Sequence, residues 1–539
     1  MKPKQSGYFT TTLIRQDYAE RRNKRKCIVN IYELAIILMR TMKFRIITFF
    51  CVIQLLHFNG KAQINPNSAS ITNRIDNYLS SCVVNGYSGS VLVAKDDEIL
   101  LSKGYGWADK NKKIPNKPTT VFNIGSVTKQ FTAAAILKLI ENNKINVSDR
   151  LLKYFPQAPS DKQDITIHQL LTHTTGILPQ TGGFRYNEAS KKQFLEDFFQ
   201  SELMYNPGTK HTYANANYIL LAAVIEKVSQ QEYETFLQEI FWNPLDMNHT
   251  GYKSIDFSSN QLAHGYYFHY TNGEWRDWGT TQEHLPYSNK HWYSIGKGDI
   301  YSTVEDLHKW HIALEQNKIL QAETKMLMET AHVPENDEKT SFYGYGWAIF
   351  NSSSDSKIVT HNGSNGIYFA DFIRYVEDDL VIITLSNIIL NHQSENVAWE
   401  IASMISNDNY EPKIIPKNTY ELVFDFIRTN SPNNANQLPQ FIKDKTGLSI
   451  NEKAILNRIG FKQISENMDT EWGIELLKLN VSLFPNDGNL WDSLGEGYYL
   501  LKDKDNAITS FQKALELKTD ANCYWCDNSS ERLKELLNK

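Results

Sequence analysis

Residues Phe122–Ile145 read FNIGSVTKQFTAAAILKLIENNKI, and the fold turns on how Ser126 and Lys129 sit within them. Phe131, Ala135, Leu139 and Ile140 trace one apolar stripe at helical spacing. Ser126 and Lys129, three residues apart, share a face of the same helix. Gly125 places the serine at the expected helix start. A helix amino-terminus favours negative charge and so assists a developing alkoxide. A lysine buried there loses its charge readily and can serve as a base. Ser126 therefore reads as a nucleophile beside its base. The spacing alone decides nothing, because Ser294/Lys297, Ser354/Lys357 and Ser510/Lys513 share it. Those pairs fall in a glycine turn, a Ser/Asp loop and a later helix.

Working outward, GSVLVAKDDEILLSKGYGWAD from Gly89 holds two apolar runs around Asp96-Asp97, a hairpin signal. LLTHTTG from Leu170 reads as a short helix end and a polar turn. Asn206-Pro207-Gly208 marks a turn, and Asn217 to Val228 a helix. Strands are expected at Gly344–Asn351, Lys357–His361, Ile367–Tyr375 and Leu380–Ser386. Strands at both ends with helices between predict an α+β domain whose antiparallel sheet is built from both termini and closes near Ser406.

The chain has 539 residues, 41% of them apolar and 22% charged, so more than one globular domain is expected. Residues 1–62 carry 12 Lys/Arg and 3 Asp/Glu. With 56 basic and 61 acidic residues in all, the remainder has 44 and 58, a net charge of −14. That argues against a nucleic-acid partner. From Met42, MKFRIITFFCVIQLLHFNGKAQ has a basic start, an apolar run and small residues at Gly60 and Ala62, the pattern of a secretory signal. Met42 is then the expected true start, residues 1–62 an upstream extension plus signal, and the protein is expected to be exported, periplasmic or secreted. A leader that is not cleaved would instead anchor it to the membrane. Cys523-Tyr524-Trp525-Cys526 stands without a second pair, which suits a disulfide or two plain thiols better than zinc.

Residues 407–450 are polar and Asn/Pro-rich and read as a connector with one helix at Thr419–Arg428. Across residues 451–539, Trp491, Leu494, Gly495, Tyr498, Ala507, Phe511 and Ala514 fit the tetratricopeptide pattern. Asn457, Gly460, Phe461, Ile464, Gly473, Leu477 and Asn480 repeat it 34 residues earlier in part, and Ser529–Leu537 suits a capping helix. This all-α region either offers a groove to a protein partner or forms a bundle that packs on the preceding domain.

FNIGSVTK, LLTHTTG, NPGTKHTYANANYILL, GDIYSTVEDLHKW, YGYGW and HNGSNG occur in that order. In this they resemble the serine β-lactamase/penicillin-binding-protein superfamily, in its class C β-lactamase-like branch, over residues 75–405. The resemblance implies an α+β domain over residues 63–406, with an antiparallel sheet flanked by helices, a helical lobe and a site between them. It also implies a cofactor-free serine hydrolase with no metal, acting through an acyl-enzyme on a small ester, amide or peptide substrate. By the same resemblance Tyr213 relays protons with Lys129, provided nearby cations lower its pKa. Asn215 should bond Lys129 and a substrate carbonyl. His361-Asn362-Gly363 falls where most β-lactamases carry Lys-Thr-Gly, and the backbone N–H groups of Ser126 and Ser364 should form the oxyanion hole.

Histidine is mostly neutral at pH 7, so His361 offers a substrate carboxylate no permanent cation. Esters or amides without a free carboxylate, or amine-bearing peptides, are thereby favoured. D-aminopeptidase, D-alanyl-D-alanine carboxypeptidase or weak β-lactamase action is the alternative within enzymes. A non-catalytic cell-wall peptide binder is the alternative outside them. His173 reads as a structural histidine that steadies the turn beside the cleft. The aromatic run His264–Tyr293 either lines the cleft or packs as a lid on the protein itself.

Overall fold

The computed structural model describes residues 71–539, apart from 180, 182–186, 253–254, 256–261, 285–290, 354, 390–392, 519–522, 524 and 539. The expected extension and signal over residues 1–62 lie outside the described residues.

Eight strands form one antiparallel sheet; of three further two-stranded pairs among the described residues, two are short (Trp107–Asp109 with Ile114–Pro115, and Phe122–Asn123 with Tyr301–Ser302) and the third is a hairpin. In chain order the strands of the sheet and the hairpin are β1 (Gly89–Lys95), β2 (Glu98–Tyr105), the hairpin β3 (Gly265–His269) and β4 (Glu274–Gly279), β5 (Val333–Pro334), β6 (Phe342–Tyr343), β7 (Ala348–Asn351), β8 (Lys357–Ser364), β9 (Phe369–Tyr375) and β10 (Leu380–Ser386). The sheet order is β2-β1-β10-β9-β8-β7-β6-β5. Strand β1 pairs with β10 from Gly89↔Ser386 to Lys95↔Leu380, so the sheet joins both ends of the domain. Asp96 and Asp97 both adopt positive φ (51° and 62°), the two-residue turn that suits the twist of a hairpin.

The helices that frame this sheet are α1 (Ile71–Val84), α2 (Lys129–Glu141), α3 (Ile167–Leu171), α4 (Asn215–Ser229), α5 (Val304–Glu315) and α6 (Val397–Ser406). Both faces of the sheet are covered, which is why β1 and β10 read as continuous apolar runs. Leu92, Ile383 and Leu385 pack with Phe131 of α2 and Leu220 of α4 in the larger core. Val91, Val93 and Ile382, on the other face, pack with Ile75, Leu79, Val397 and Ile401 of α1 and α6.

Three strand expectations change, the first being Lys357–His361, which continues to Ser364. Gly344–Asn351 is not one strand: β6 ends at Tyr343, residues 344–347 turn, and β7 begins at Ala348. The aromatic residues there are buried side chains of a turn, Tyr345 and Trp347, rather than a pleated run. The strand expected from Ile367 begins at Phe369, because Asn365 Oδ1 accepts from the N–H of Ile367 and Tyr368 and holds a turn.

The C-terminal part is helical: α7 (Thr419–Thr429), α8 (Leu438–Thr446), α9 (Lys453–Ser465), α10 (Thr470–Leu483), α11 (Gly488–Leu500), α12 (Lys504–Glu516) and α13 (Cys526–Leu537). The stretch read as a connector with one helix thus holds a second, α8, started by Pro439 in its first turn and ended by Gly447 at φ 71°. Leu422, Val423 and Phe426 of α7 and Leu438 of α8 share a core with Ile455, Leu456 and Trp472 of α9 and α10. Cys523 and Cys526 are joined in a disulfide before α13.

The β3–β4 hairpin joins this helical part to the sheet domain. At its base Tyr266 N–H donates to Asn387 O (3.0 Å). Near its tip Phe268 and Trp275 enter the core of α7 to α10. Gln463 Nε2 donates to Thr271 O (2.5 Å), and Thr271 Oγ1 to Glu466 Oε2 (2.8 Å). Phe268 and Trp275 of the aromatic run therefore pack on the protein's own helices, while Trp278, Trp292 and Tyr293 pack with the larger core. Tyr287 lies outside the described residues.

Candidate active site

Ser126 sits in a single 3₁₀ turn, Gly125–Thr128, and Lys129 is the first residue of α2. The turn is held from below. Asn123 Oδ1 accepts from Gly125 N–H (3.0 Å), and Asn123 Nδ2 donates to Asp299 Oδ1 (3.2 Å). Gly125 has φ 50°, and a Cβ there would stand 2.6 Å from Ser364 N. A Cβ on Gly363 of β8 would stand 2.7 Å from Ser126 N and 2.1 Å from Ile124 O. Glycine at both positions lets the two backbones touch. The N–H groups of Ser126 and Ser364 are thereby brought to one place, as an oxyanion hole requires.

Lys129 is fully buried. Its Nζ lies 3.1 Å from Ser126 Oγ, 3.0 Å from Asn215 Oδ1 and 2.5 Å from Lys297 O. Two of these are carbonyl oxygens, which only accept, so two N–H groups are committed to them. The third position of the amine faces the Ser126 hydroxyl. As an ammonium it donates there; as a neutral amine it presents its lone pair to the hydroxyl proton. The Lys129 Nζ also lies over the rings of Tyr213 (4.8 Å) and Tyr218 (5.6 Å).

Tyr213 precedes α4, and His173 anchors this segment. His173 is wholly buried, with φ 55°. Its Nδ1 accepts from Ala214 N–H (3.2 Å) and faces Asn217 Nδ2 (3.2 Å), and its carbonyl accepts from Thr212 N–H (2.9 Å). Burial, with His211, Lys129 and His361 nearby, holds its pKa well below the ordinary value, so it stays neutral. This matches a structural histidine.

The expectation that cations lower the Tyr213 pKa is overturned. Burial raises it well above the ordinary tyrosine range, and the Ser126 hydroxyl offsets only part of that. The phenol is neutral at rest, a proton donor and not a standing base. The Ser126 hydroxyl faces this phenol without reaching the geometry of a full hydrogen bond.

On β8, His361 is buried and its pKa is pushed down to about 3, first by burial and then by the Lys129 charge. Its Nδ1 lies 2.6 Å from Asn362 O and its Nε2 3.0 Å from Tyr343 OH. Tyr343, at the end of β6, is buried against the rings of His173 (4.9 Å), His211 (5.5 Å) and Tyr213 (6.1 Å).

All seven residues singled out from the sequence, Ser126, Lys129, Tyr213, Asn215, His361, Gly363 and Ser364, thus belong to one cleft. Sequence reasoning missed Tyr343, although it opens the quoted YGYGW, and missed Asn123 and Asp299 beneath the serine turn. It also set Ser294/Lys297 aside, yet the Lys297 carbonyl is a ligand of Lys129. No spacing rule marks a backbone carbonyl. Ser510 and Lys513 lie on α12, and Ser354 is outside the described residues.

The structure also gathers Asp109, His264 and Asp277, a trio able to hold a metal ion that the sequence reading did not detect. Both imidazole nitrogens already face carboxylates, Nδ1 at 3.1 Å from Asp277 and Nε2 at 3.6 Å from Asp109. Lys112 pairs with Asp109 at 3.2 Å. The trio therefore reads as a charged clasp at the base of the β3–β4 hairpin.

A family model described as Beta-lactamase matches residues 76–402. Penicillin-binding protein 4* of Bacillus subtilis (strain 168) is 30% identical over 313 residues, 56% of this chain and 68% of that protein. Among solved structures, the D-amino acid amidase from Ochrobactrum anthropi SV3 complexed with D-phenylalanine shares the fold at TM-score 0.52 and 20% identity, over 63% of this chain and 100% of that one. EstCE1, a hydrolase with promiscuous acyltransferase activity, does so at TM-score 0.54 and 21% identity, over 63% and 99%.

Proposed function

The chain belongs to the beta-lactamase family and is a serine hydrolase of it, and from that premise we propose an acyl-enzyme mechanism centred on Ser126. The observation that carries it is Lys129 Nζ at 3.1 Å from Ser126 Oγ, held there by hydrogen bonds to Asn215 Oδ1 and Lys297 O. Lys129 as the neutral amine takes the hydroxyl proton while Ser126 Oγ attacks the substrate carbonyl carbon. The tetrahedral oxyanion is received by the N–H groups of Ser126 and Ser364. Tyr213 then gives its phenol proton to the leaving alcohol or amine and is reprotonated from Lys129. Asn215 orients Lys129 and the substrate carbonyl. Water attacks the acyl-enzyme, losing its proton to the same pair, and Ser126 is released.

We take the substrate to be an ester or amide without a free carboxylate beside the scissile bond. The neutral His361 supports this, and the amidase and the hydrolase among the fold neighbours accord with it. Export remains our proposal. The leader pattern and the Cys523–Cys526 bond favour an oxidising compartment, and among the described residues no helix is long and apolar enough to cross a membrane. We also propose that α9–α13 are tetratricopeptide-like repeats; their shared core with the β3–β4 hairpin favours a bundle that packs on the preceding domain, with a partner groove as the second reading.

A fluorophosphonate probe followed by peptide mass spectrometry tests the mechanism. The expected adduct is on Ser126, with p-nitrophenyl butyrate turnover lost in Ser126→Ala. A folded protein that hydrolyses the ester while Ser126 stays unlabelled would sink it.

A further inference from the structure

We propose that Tyr343 is a positioning residue that locks His361 as a neutral, Nδ1-protonated imidazole, so that the cleft discriminates against substrates bearing a carboxylate. The inference rests on the hydrolase reading of the same site, and it assigns a part to a tyrosine that no motif marks.

The argument starts from what a carbonyl can do. Asn362 O, 2.6 Å from His361 Nδ1, only accepts, so Nδ1 carries the proton. A neutral ring then has its lone pair on Nε2. The Tyr343 hydroxyl, 3.0 Å away, must be the donor that fills it. Both nitrogens are occupied, and turning the ring toward a substrate would break both bonds in a buried place. An unmet buried polar group is costly, which keeps the ring where it is.

Tyr343 is held in turn by the ladder that pairs it with Val333 and Ala348, and by the rings around it. The groups that face His361 and Tyr343 come from several elements. Lys129 comes from α2, and Tyr213 and Tyr218 from the start of α4. His173 and His211 precede that helix, and Glu335 lies in the β5–β6 turn. The phenols of Tyr213, Tyr218 and Tyr343 are raised by burial and stay uncharged. The Lys129 charge opposes a second cation on His361. Position 361, where most β-lactamases carry a lysine that can grip a substrate carboxylate, is here a neutral wall.

Two measurements on the full chain test this. In ¹⁵N-histidine NMR, with His361 assigned from the signal lost in His361→Gln, the wild type should keep its proton on Nδ1 and a bare Nε2 from pH 8 to 5. Tyr343→Phe removes the donor to Nε2; with burial and Lys129 still opposing a cation, His361 should stay neutral but show a mixture of Nδ1- and Nε2-protonated forms. In parallel, kcat/KM is followed for p-nitrophenyl butyrate and for the carboxylate-bearing p-nitrophenyl monoadipate. The adipate-to-butyrate ratio should be flat with pH in the wild type. In Tyr343→Phe it should be raised about fivefold at each pH, as the released neutral ring can turn an N–H toward the carboxylate. Titration of His361 in the wild type, or a proton on Nε2, overturns the proposal. So does a Tyr343→Phe variant whose tautomer and ratio match the wild type. The wild-type spectrum decides the tautomer if the variant does not fold. Absence of turnover on both esters would count against the hydrolase reading and leave the tautomer to the spectrum.

Discussion

In the mechanism we propose, Lys129 is the base because hydrogen bonds hold its amine against Ser126. Asn215 Oδ1 and Lys297 O take two of its protons, and Ser126 Oγ lies within reach of the same amine. Lys129→Met should lower kcat for ester hydrolysis about 10²- to 10⁴-fold, the usual contribution of a positioned base. It should also lower the unfolding free energy by about 1–3 kcal/mol, because the two carbonyls lose their donor. A variant with unchanged kcat would remove Lys129 from the mechanism.

His361 adds a pH dependence of defined sign. Its folded pKa of about 3 lies below the value near 6.5 of an unfolded histidine, so the unfolded chain binds the proton more readily. The stability it supports is complete above about pH 6.5, is lost as pH falls toward 3, and changes no further below. Burial lowers His311 to about 3 and lowers His173 as well, so these act in the same sense. Urea midpoints should fall between pH 7 and 5, and His361 alone should account for on the order of 2 kcal/mol of that. His361→Gln should flatten the dependence by that amount; an equal slope in the variant would contradict the buried, neutral ring.

At the scale of elements, the contact between the serine turn and β8 is the most sensitive joint. Gly363→Ala places a methyl 2.1 Å from Ile124 O and 2.7 Å from Ser126 N, so turn and strand must part. Stability should drop by about 1–3 kcal/mol, as for other overpacked sites. Turnover should fall about 10²- to 10³-fold, the usual loss on removing one oxyanion donor. Comparing kcat in Gly363→Ala with that in Gly366→Ala checks it. Gly366 has open space beside it, although its φ of 92° carries some strain. Equal turnover in the two variants would mean the close approach does not matter.

Much of this element layer was legible. The Asp96-Asp97 hairpin, the helix after Asn215 and the strand Leu380–Ser386 follow from alternation and turn chemistry, which are local. The break between β6 and β7 was not legible, because an aromatic run reads as a strand unless its tertiary packing is known. The second helix of residues 407–450 had its signals, Pro439 and Gly447, but they were masked by the polar composition around them.

At the scale of the whole molecule, the helical part is anchored through the β3–β4 hairpin, with Phe268 buried against Tyr420 and Phe424 at 5.9 and 5.8 Å. Phe268→Ala should cost about 3–5 kcal/mol, in the range for large buried aromatics. The loss should register first in the helices, as earlier proteolytic cleavage within residues 407–539 than within the sheet domain. Cleavage in the wild-type order and at the wild-type rate would show that the hairpin is not the anchor.

The sequence by itself determined what depends on neighbours along the chain: the serine one turn from its lysine, the strands β1, β2 and β10, and the order of motifs that implied a serine hydrolase. Only the tertiary structure decided what depends on burial and on distant contacts. Lys297 reaches Lys129 across 168 residues, and Ser126 meets Ser364 only because two glycines touch. Tyr213 is neutral where a lowered pKa was expected, since burial outweighs the Ser126 hydroxyl. The tautomer of His361 follows from one carbonyl and one tyrosine. Desolvation and hydrogen-bond direction are properties of a place in space, and no local spacing encodes them.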